Sequence, residues 1–323
     1  MLKPTPLIPQ EVYLLERYSS LAYYERMRDA FELCVKAAEN ALAEFMKHLP
    51  PDYRSQPLWK QPDAVWGETV IPNLQYSLRG VFNGYIRLSH GDFGGLALAG
   101  NVCSSFTGVI RDYVIDWMPE PFMAEYEANM HIAWELASNI SHTQQGNWEI
   151  GALSYDYASN RGPLNAPPSW PLYRLNHAVT VKTNDKVPQS GIYLPDAPNS
   201  AAQFLIKDYE AWQANVQPTP ELLEWGYFKN PTVRQDCIWT FVERIANSGG
   251  GTGCAPQNDD SNAKKHRPNV PAGSPCPETG WWYTPAQANS RRYFKEGAVM
   301  PSVGGDYGDT FWQWSPDQSA PSL

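Results

Sequence analysis

Aromatic and guanidinium groups dominate the chemistry available to this chain. Trp281-Trp282-Tyr283 and Trp312-Gln313-Trp314 form two short aromatic runs, and Arg291-Arg292 lies between them. Exposed rings of this kind stack on sugars or anchor a protein partner, and arginine joins them at binding hot spots. Alternation along a strand puts Trp312 and Trp314 on one face, which favours core for that run. Arg291 and Arg292 could reach a partner's carboxylate, although bracing a local carboxylate or stacking on tryptophan is the commoner use. The candidate partner-binding set is therefore Arg291, Arg292, Trp281, Trp282 and Tyr283.

The remaining chemical signals are thin. His131 and Glu135 stand four apart on one helical face, half of a metal site with no third ligand in view. His90-Gly91-Asp92 reads as a helix C-cap followed by the next N-cap rather than as a dyad. The glycines at 91, 94 and 95 match neither GxxxxGK[ST] nor GxGxxG, and GxSxG and HExxH are absent. Lys264-Lys265-His266-Arg267 reads as a solvated loop. No catalytic residue, metal or cofactor is expected, and the chain is not read as an enzyme. Five cysteines are too few for a disulfide framework in 323 residues. Cys34 and Cys103 fall at core positions of helices. Cys254 and Cys276 could pair in an oxidising compartment, but reduced thiols are the expectation.

The elements that must hold these groups change character near residue 145. Residues 1–143 carry 4 Trp, and Pro plus Gly make up 18 positions; residues 144–323 carry 9 Trp and 34 Pro plus Gly. The first part reads as four long helices. Met27, Phe31, Cys34, Ala38, Ala41 and Phe45 step by 4 and 3, in a helix that starts near Pro9 and stops before Pro50. Leu74 to Leu88, Leu96 to Trp117 and Phe122 to Ile140 give three more stripes. Short connections predict an antiparallel bundle. In the second part, Ala178–Val181 and Gly191–Leu194 suit brief strands. Two helices are predicted further on: one at Thr219-Pro220, and one after Asn230-Pro231 through Val233, Cys237, Phe241 and Ile245. The predicted class is α+β, with a helical bundle over 1–145 and a mixed, turn-rich region over 146–323.

That second region repeats itself. Pro188, Gly191, Tyr193, Pro195, Asn199-Ser200 and Phe204 match Pro277, Gly280, Trp282, Pro285, Asn289-Ser290 and Phe294. The offset is 89 before one inserted residue and 90 after it. The repeated unit spans 187–208 and 276–298, one strand-containing aromatic unit used twice. If the two glycines are equivalent, each should start or flank a strand.

Cys276-Pro-Glu-Thr-Gly280-Trp-Trp-Tyr, Ser290-Arg-Arg-Tyr-Phe294-Lys-Glu-Gly297, Met300-Pro301 and Gly308-Asp-Thr-Phe-Trp312-Gln-Trp314 resemble the C-terminal signature of bacterial polymorphic-toxin immunity proteins of the immunity protein 71 and 72 type. The resemblance covers about residues 185–315 and is architectural over 10–143. It implies a partly helical protein that binds and silences a cognate toxin domain, and it supplies no catalytic residue.

Charge fits a protein partner. Net charge is −9, from 25 Lys plus Arg against 34 Asp plus Glu. No basic block suits a nucleic-acid backbone. An acidic surface would steer a basic toxin domain. No apolar run of membrane-spanning length is read, and the N-terminus shows no apolar leader segment, so a cytoplasmic location is expected. The alternative function is a carbohydrate- or cell-wall-binding module that uses the Trp-rich C-terminal region. Oligomeric state is left open.

Overall fold

The stripe Met27, Phe31, Cys34, Ala38 and Ala41 lies at the centre of the helical half, every member buried. A computed structural model describes residues 5–217, 233–245, 270–284, 290–303 and 310–315. The chain is α+β: five helices come first, and antiparallel sheets follow.

The long first helix of the sequence reading is two helices, α1 (Pro9–Tyr18) and α2 (Leu21–Phe45). Two serines make the break. Ser19 Oγ donates to Leu15 O at 2.7 Å and closes α1, while Ser20 Oγ accepts from Tyr23 N at 3.2 Å and caps α2. α2 packs against α3 (Ile71–Ser89) and α5 (Phe122–Gln144). A π-helical segment, Asp63–Val70, leads into α3 just ahead of Pro72, which has no N–H to donate.

The stripe read through Trp117 ends earlier, because α4 covers Gly100–Asp112 after a 3-10 turn at Phe93–Ala99. Phe93–Asp112 nevertheless has the length and apolarity of a membrane span, with 20 residues and an 18-residue window of mean hydropathy 1.4. Its Leu96, Ala99, Val102 and Phe106 lie in the bundle core, where Phe31 and Phe106 meet edge to face at 5.3 Å.

A four-stranded antiparallel sheet follows, in the order β1 (Tyr173–Lys182), β6 (Ile238–Arg244), β2 (Gly191–Pro195), β3 (Gln203–Leu205). β4 (Ala214–Val216) and β5 (Val233–Gln235) pair separately. Residues 233–244 are thus strands rather than the predicted helix. The reason is an alias: positions four apart share a face in a strand as well as in a helix. Cys237 and Phe241 do share a face, with Trp239 between them on the same side.

Both faces of this sheet are apolar. Ile192, Leu194, Phe204 and Val242 join the bundle core, while Tyr193, Leu205 and Trp239 turn to a separate cluster with Val181. β1 serves both sides. Asn176 pairs with Phe241 but Thr180 with Thr240, so residues 177–179 are extra. That odd number inverts the strand. Tyr173 and Leu175 pack on the bundle core, whereas Val179 and Val181 pack on the second cluster.

The sequence reading divides the chain at 145, but the compact units are Met1–Pro256 and Gln257–Leu323. The first sheet belongs with the bundle because one of its faces completes the bundle's core. The predicted helix at Thr219 lies outside the described residues, as do Cys254 and the basic cluster 264–267.

The second unit holds another four-stranded sheet, β7 (Val270–Pro271), β10 (Phe311–Trp314), β8 (Gly280–Tyr283), β9 (Arg292–Phe294), in that order. It repeats the first strand for strand. Gly191 pairs with Leu205 as Gly280 pairs with Phe294, and Tyr193 with Gln203 as Trp282 with Arg292. Gly191 and Gly280 each start a strand, as predicted. The offset is 89 on both strands, so Phe294 takes the place of Leu205, not of Phe204 as the sequence match had it.

The loops obey the same rule. Lys207 N donates to Ser190 Oγ and Glu296 N to Thr279 Oγ1, each at 2.9 Å. Val181 pairs with Trp239 as Val270 pairs with Trp312, which extends the duplication to β6 and β10 at an offset of 73. Trp239 Nε1 donates to Trp212 O at 2.7 Å, and Trp312 Nε1 to Pro301 O at 2.8 Å.

Candidate partner-binding face

The duplication sorts the aromatic and arginine residues. Trp282 stands where Tyr193 stands in the first sheet, and both are fully buried. Trp282 Nε1 donates to Glu278 O at 3.1 Å, and its ring meets Trp314 edge to face at 5.2 Å. Trp282, Met300 and Trp312 form the core of the second unit, with Val270 and Cys276. Trp282 therefore drops out of the partner-binding set: with no exposed surface, it cannot touch a partner. Trp312 and Trp314 share the core side, as alternation predicts.

Trp281 and Tyr283 project from the opposite side, at the positions of Ile192 and Leu194. Tyr293 takes the place of Phe204, and Gln313 that of Thr240. Trp281 and Tyr293 meet edge to face, with centroids 5.5 Å apart and ring planes at 67°. The Arg291 guanidinium lies 4.5 Å from the Trp281 ring centre, and Tyr283 OH donates to Gln313 Oε1 at 2.6 Å. Trp281, Tyr283 and Arg291 are half-buried, and Tyr293 is 53% exposed. Arg292 sits on the core side at the edge strand, exposed, 5.8 Å from the Trp312 ring centre. Arg291 and Arg292 thus stack on different tryptophans, on opposite faces of one sheet.

Three of the five predicted residues, Trp281, Tyr283 and Arg291, come together on one face. Tyr293, Gln313 and Lys295, which takes the Ile206 position, were missed. Offset 90 across β9 places Tyr293 opposite Gln203 and hides its membership. The alternation Trp281, Tyr283 projected across the hairpin would have found it. This face carries the cations Arg291 and Lys295. By sequence, residues 257–323 hold 6 basic and 7 acidic groups, while residues 1–256 hold 19 and 27. The acidic excess belongs to the first unit.

The other sequence signals resolve into structure. Gly91 has φ +80, Asp92 Oδ1 accepts from Gly94 N at 2.9 Å, and Arg87 Nε donates to Asp92 Oδ2 at 2.7 Å. The two caps are as read, and the Arg87 contact holds the Asp92 carboxyl below its usual range. His131 is exposed on α5, and no His, Cys, Asp or Glu cluster able to hold a metal occurs among the described residues. Burial raises the Cys34 thiol and pushes the Cys237 thiol up to about 11, which suits core groups rather than nucleophiles. Comparison with family models, curated proteins and solved structures gave no match to this chain.

Proposed function

We propose that this protein is an immunity protein that binds a cognate bacterial toxin domain and neutralises it by covering it. One observation carries the reading. Positions filled by Ile192, Leu194 and Phe204 in the first sheet, where they are buried core, carry Trp281, Tyr283 and Tyr293 in the second, with Arg291 beside them. Large amphipathic rings and arginine at otherwise apolar core positions are the composition of a binding hot spot. The signature that runs through Gly280-Trp-Trp-Tyr and Ser290-Arg-Arg-Tyr-Phe294 supports the toxin as partner. The acidic first unit would steer a basic domain toward the protein. Binding would take place in the cytoplasm.

The test is co-expression with any toxin domain that a neighbouring reading frame encodes. Growth is rescued, and the two proteins co-purify in fixed stoichiometry. Trp281→Ala weakens the complex by about 2 kcal/mol, roughly 30-fold, without unfolding the protein. Rescue at strongly sub-stoichiometric amounts would replace binding by an enzymatic repair activity. Binding of glycan in place of any neighbouring toxin would return the carbohydrate alternative. The edge-to-face packing of Trp281 and Tyr293 supports the first reading, since the two rings do not form a flat platform for a sugar.

A further inference from the structure

The helical bundle has two ends. At one, Phe93 and Trp148 meet the first sheet at Phe204 and Gln203. At the other, the end of α4 and the start of α5 join the connection between α2 and α3. There the Phe45 and Trp117 rings meet at 5.8 Å, and Trp66 Nε1 donates to Val114 O at 3.1 Å. We propose that this second end is a docking surface for a basic protein domain. Leu58, Trp59, Ile110 and Val114 take an apolar patch of the partner, and the carboxylates around them take its lysines and arginines. The proposal rests on the binding reading above for the partner's identity, a toxin domain, and takes the partner's chemistry from this surface.

Exposed apolar side chains are concentrated here. Leu58 and Trp59 lie in a 3-10 turn, Leu58–Lys60, that packs against the π-helical segment carrying Trp66. Ile110 is in the last turn of α4, and Val114 follows four residues on. The four are 66–71% exposed. Among the described residues of the first unit, only six large apolar side chains reach that level, and these are four of them. Single exposed apolar residues are ordinary, whereas a group of them with a polar rim marks an interaction surface. Trp59 gives the group the kind of anchor that protein interfaces use.

The rim selects the sign of the partner. Residues 112–130 hold five carboxylates and no lysine, arginine or histidine. Asp112 pairs with Arg111 at 2.6 Å. Asp116, Glu120, Glu125 and Glu127 are exposed and make no ion pair among the described residues. The neighbouring cations are already engaged: Arg54 with Asp63 at 2.7 Å, Lys47 with Glu44 at 2.7 Å, and Lys60 over the Trp59 ring at 4.9 Å. Like charges gathered on one end repel one another, and a cationic partner relieves that repulsion. The same carboxylates repel an anionic lipid surface, which favours a protein over a membrane as occupant.

The test uses the full-length protein and two labelled amphipathic peptides of about 20 residues. The peptides share a Leu/Ala stripe and differ only in flanking Lys or Glu. Fluorescence anisotropy shows the Lys peptide bound at least about tenfold more tightly than the Glu peptide, and more weakly as NaCl rises from about 50 to about 300 mM. Trp59→Ala and Val114→Ser, both changes at exposed positions, each weaken the Lys peptide at least about fivefold. Glu120→Lys combined with Glu125→Lys removes the preference for the Lys peptide. Tyr155→Ser, at a comparably exposed position elsewhere, and Glu32→Gln, in an exposed pair with Lys36 on α2, change nothing. Equal binding of both peptides, indifference to Trp59→Ala and Val114→Ser, or equal losses in the two control variants overturns the assignment. Binding to phosphatidylserine vesicles that Trp59→Ala abolishes overturns it in favour of a membrane. A toxin complex that survives Trp59→Ala and the double charge reversal also overturns it, and leaves the immunity reading standing. Selective Lys-peptide binding with no toxin complex removes the immunity reading alone.

Discussion

The two sheets of this protein share strand order, register and turn hydrogen bonds, and they spend their faces differently. In the first, one face carries Tyr193, Leu205, Ala211 and Trp239, and the other carries Ile192, Leu194, Phe204 and Val242, locked into the bundle. In the second, the matching core side is bulkier: Trp282 for Tyr193, Phe294 for Leu205, Met300 for Ala211. The described residues of the second unit include no helix, and larger side chains supply the apolar area on that one side. The difference teaches that a duplicated scaffold can keep its hydrogen bonds while one surface changes from apolar core to amphipathic aromatic and cationic side chains.

The comparison predicts opposite responses at equivalent positions. The largest effect is expected from the pair Phe204→Lys and Tyr293→Lys. Phe204→Lys buries a charge against α5 and Phe93 and should cost more than about 4 kcal/mol in guanidinium unfolding. Tyr293→Lys should stay within about 0.5 kcal/mol. Equal costs would mean that the two faces are not different in kind. Next come Trp239→Ala and Trp312→Ala, each expected to cost about 3–5 kcal/mol. Hydrogen exchange should report the loss at β6 for the first and at β10 for the second. A harmless Trp312→Ala would break the equivalence of the two cores.

A smaller effect sharpens the turn comparison. Asp208 has φ +66 and its counterpart Gly297 has φ +79. Gly297→Asp should be nearly neutral, because aspartate already holds that conformation in the first copy. Gly297→Val should cost about 1–2 kcal/mol by thermal melting, since space is open there and only the backbone conformation objects.

The smallest effect concerns the covered rim. Burial raises the Glu16 carboxyl above its ordinary range, against the opposing pull of Tyr173 and Arg244. A carboxyl raised in the folded state stabilises the fold below its unfolded pKa, and that contribution is lost as pH rises through the folded value. Glu16→Gln keeps an acceptor for Tyr173 and escapes this loss. Its urea midpoint, relative to the parent, should therefore be higher near about pH 7 than near about pH 4. A reversed order would mean that Tyr173 and Arg244 outweigh burial.

Much of the helical half was legible in the sequence because residues such as Met27, Phe31 and Cys34 have one helical period and one partner, the bundle core. Ser19 and Ser20 were not read as a break, since a stripe is blind to where backbone hydrogen bonds change hands. The run Val233, Cys237, Phe241 was misread because a step of four satisfies both periods. The boundary at 145 follows composition, whereas the unit boundary at Pro256 follows packing of Ile192, Leu194 and Phe204 from distant sequence. The repeat was visible in the glycine-aromatic motifs of β2 and β8. It was invisible in β6 and β10, which share Trp239 and Trp312 and little else, at a different offset. For the candidate face, residue type found Trp281, Tyr283 and Arg291. Only the pairing register separates them from Trp282 and adds Tyr293.

The three extra residues 177–179 in β1 make that strand an odd-numbered switch. The insertion lets one strand serve two cores without changing its pairing partner: Leu175 keeps Val242 and Val181 keeps Trp239 across the bend. A slip of the downstream pairing by one residue would send every later side chain of β1 to the wrong core, a frameshift written in space instead of in codons.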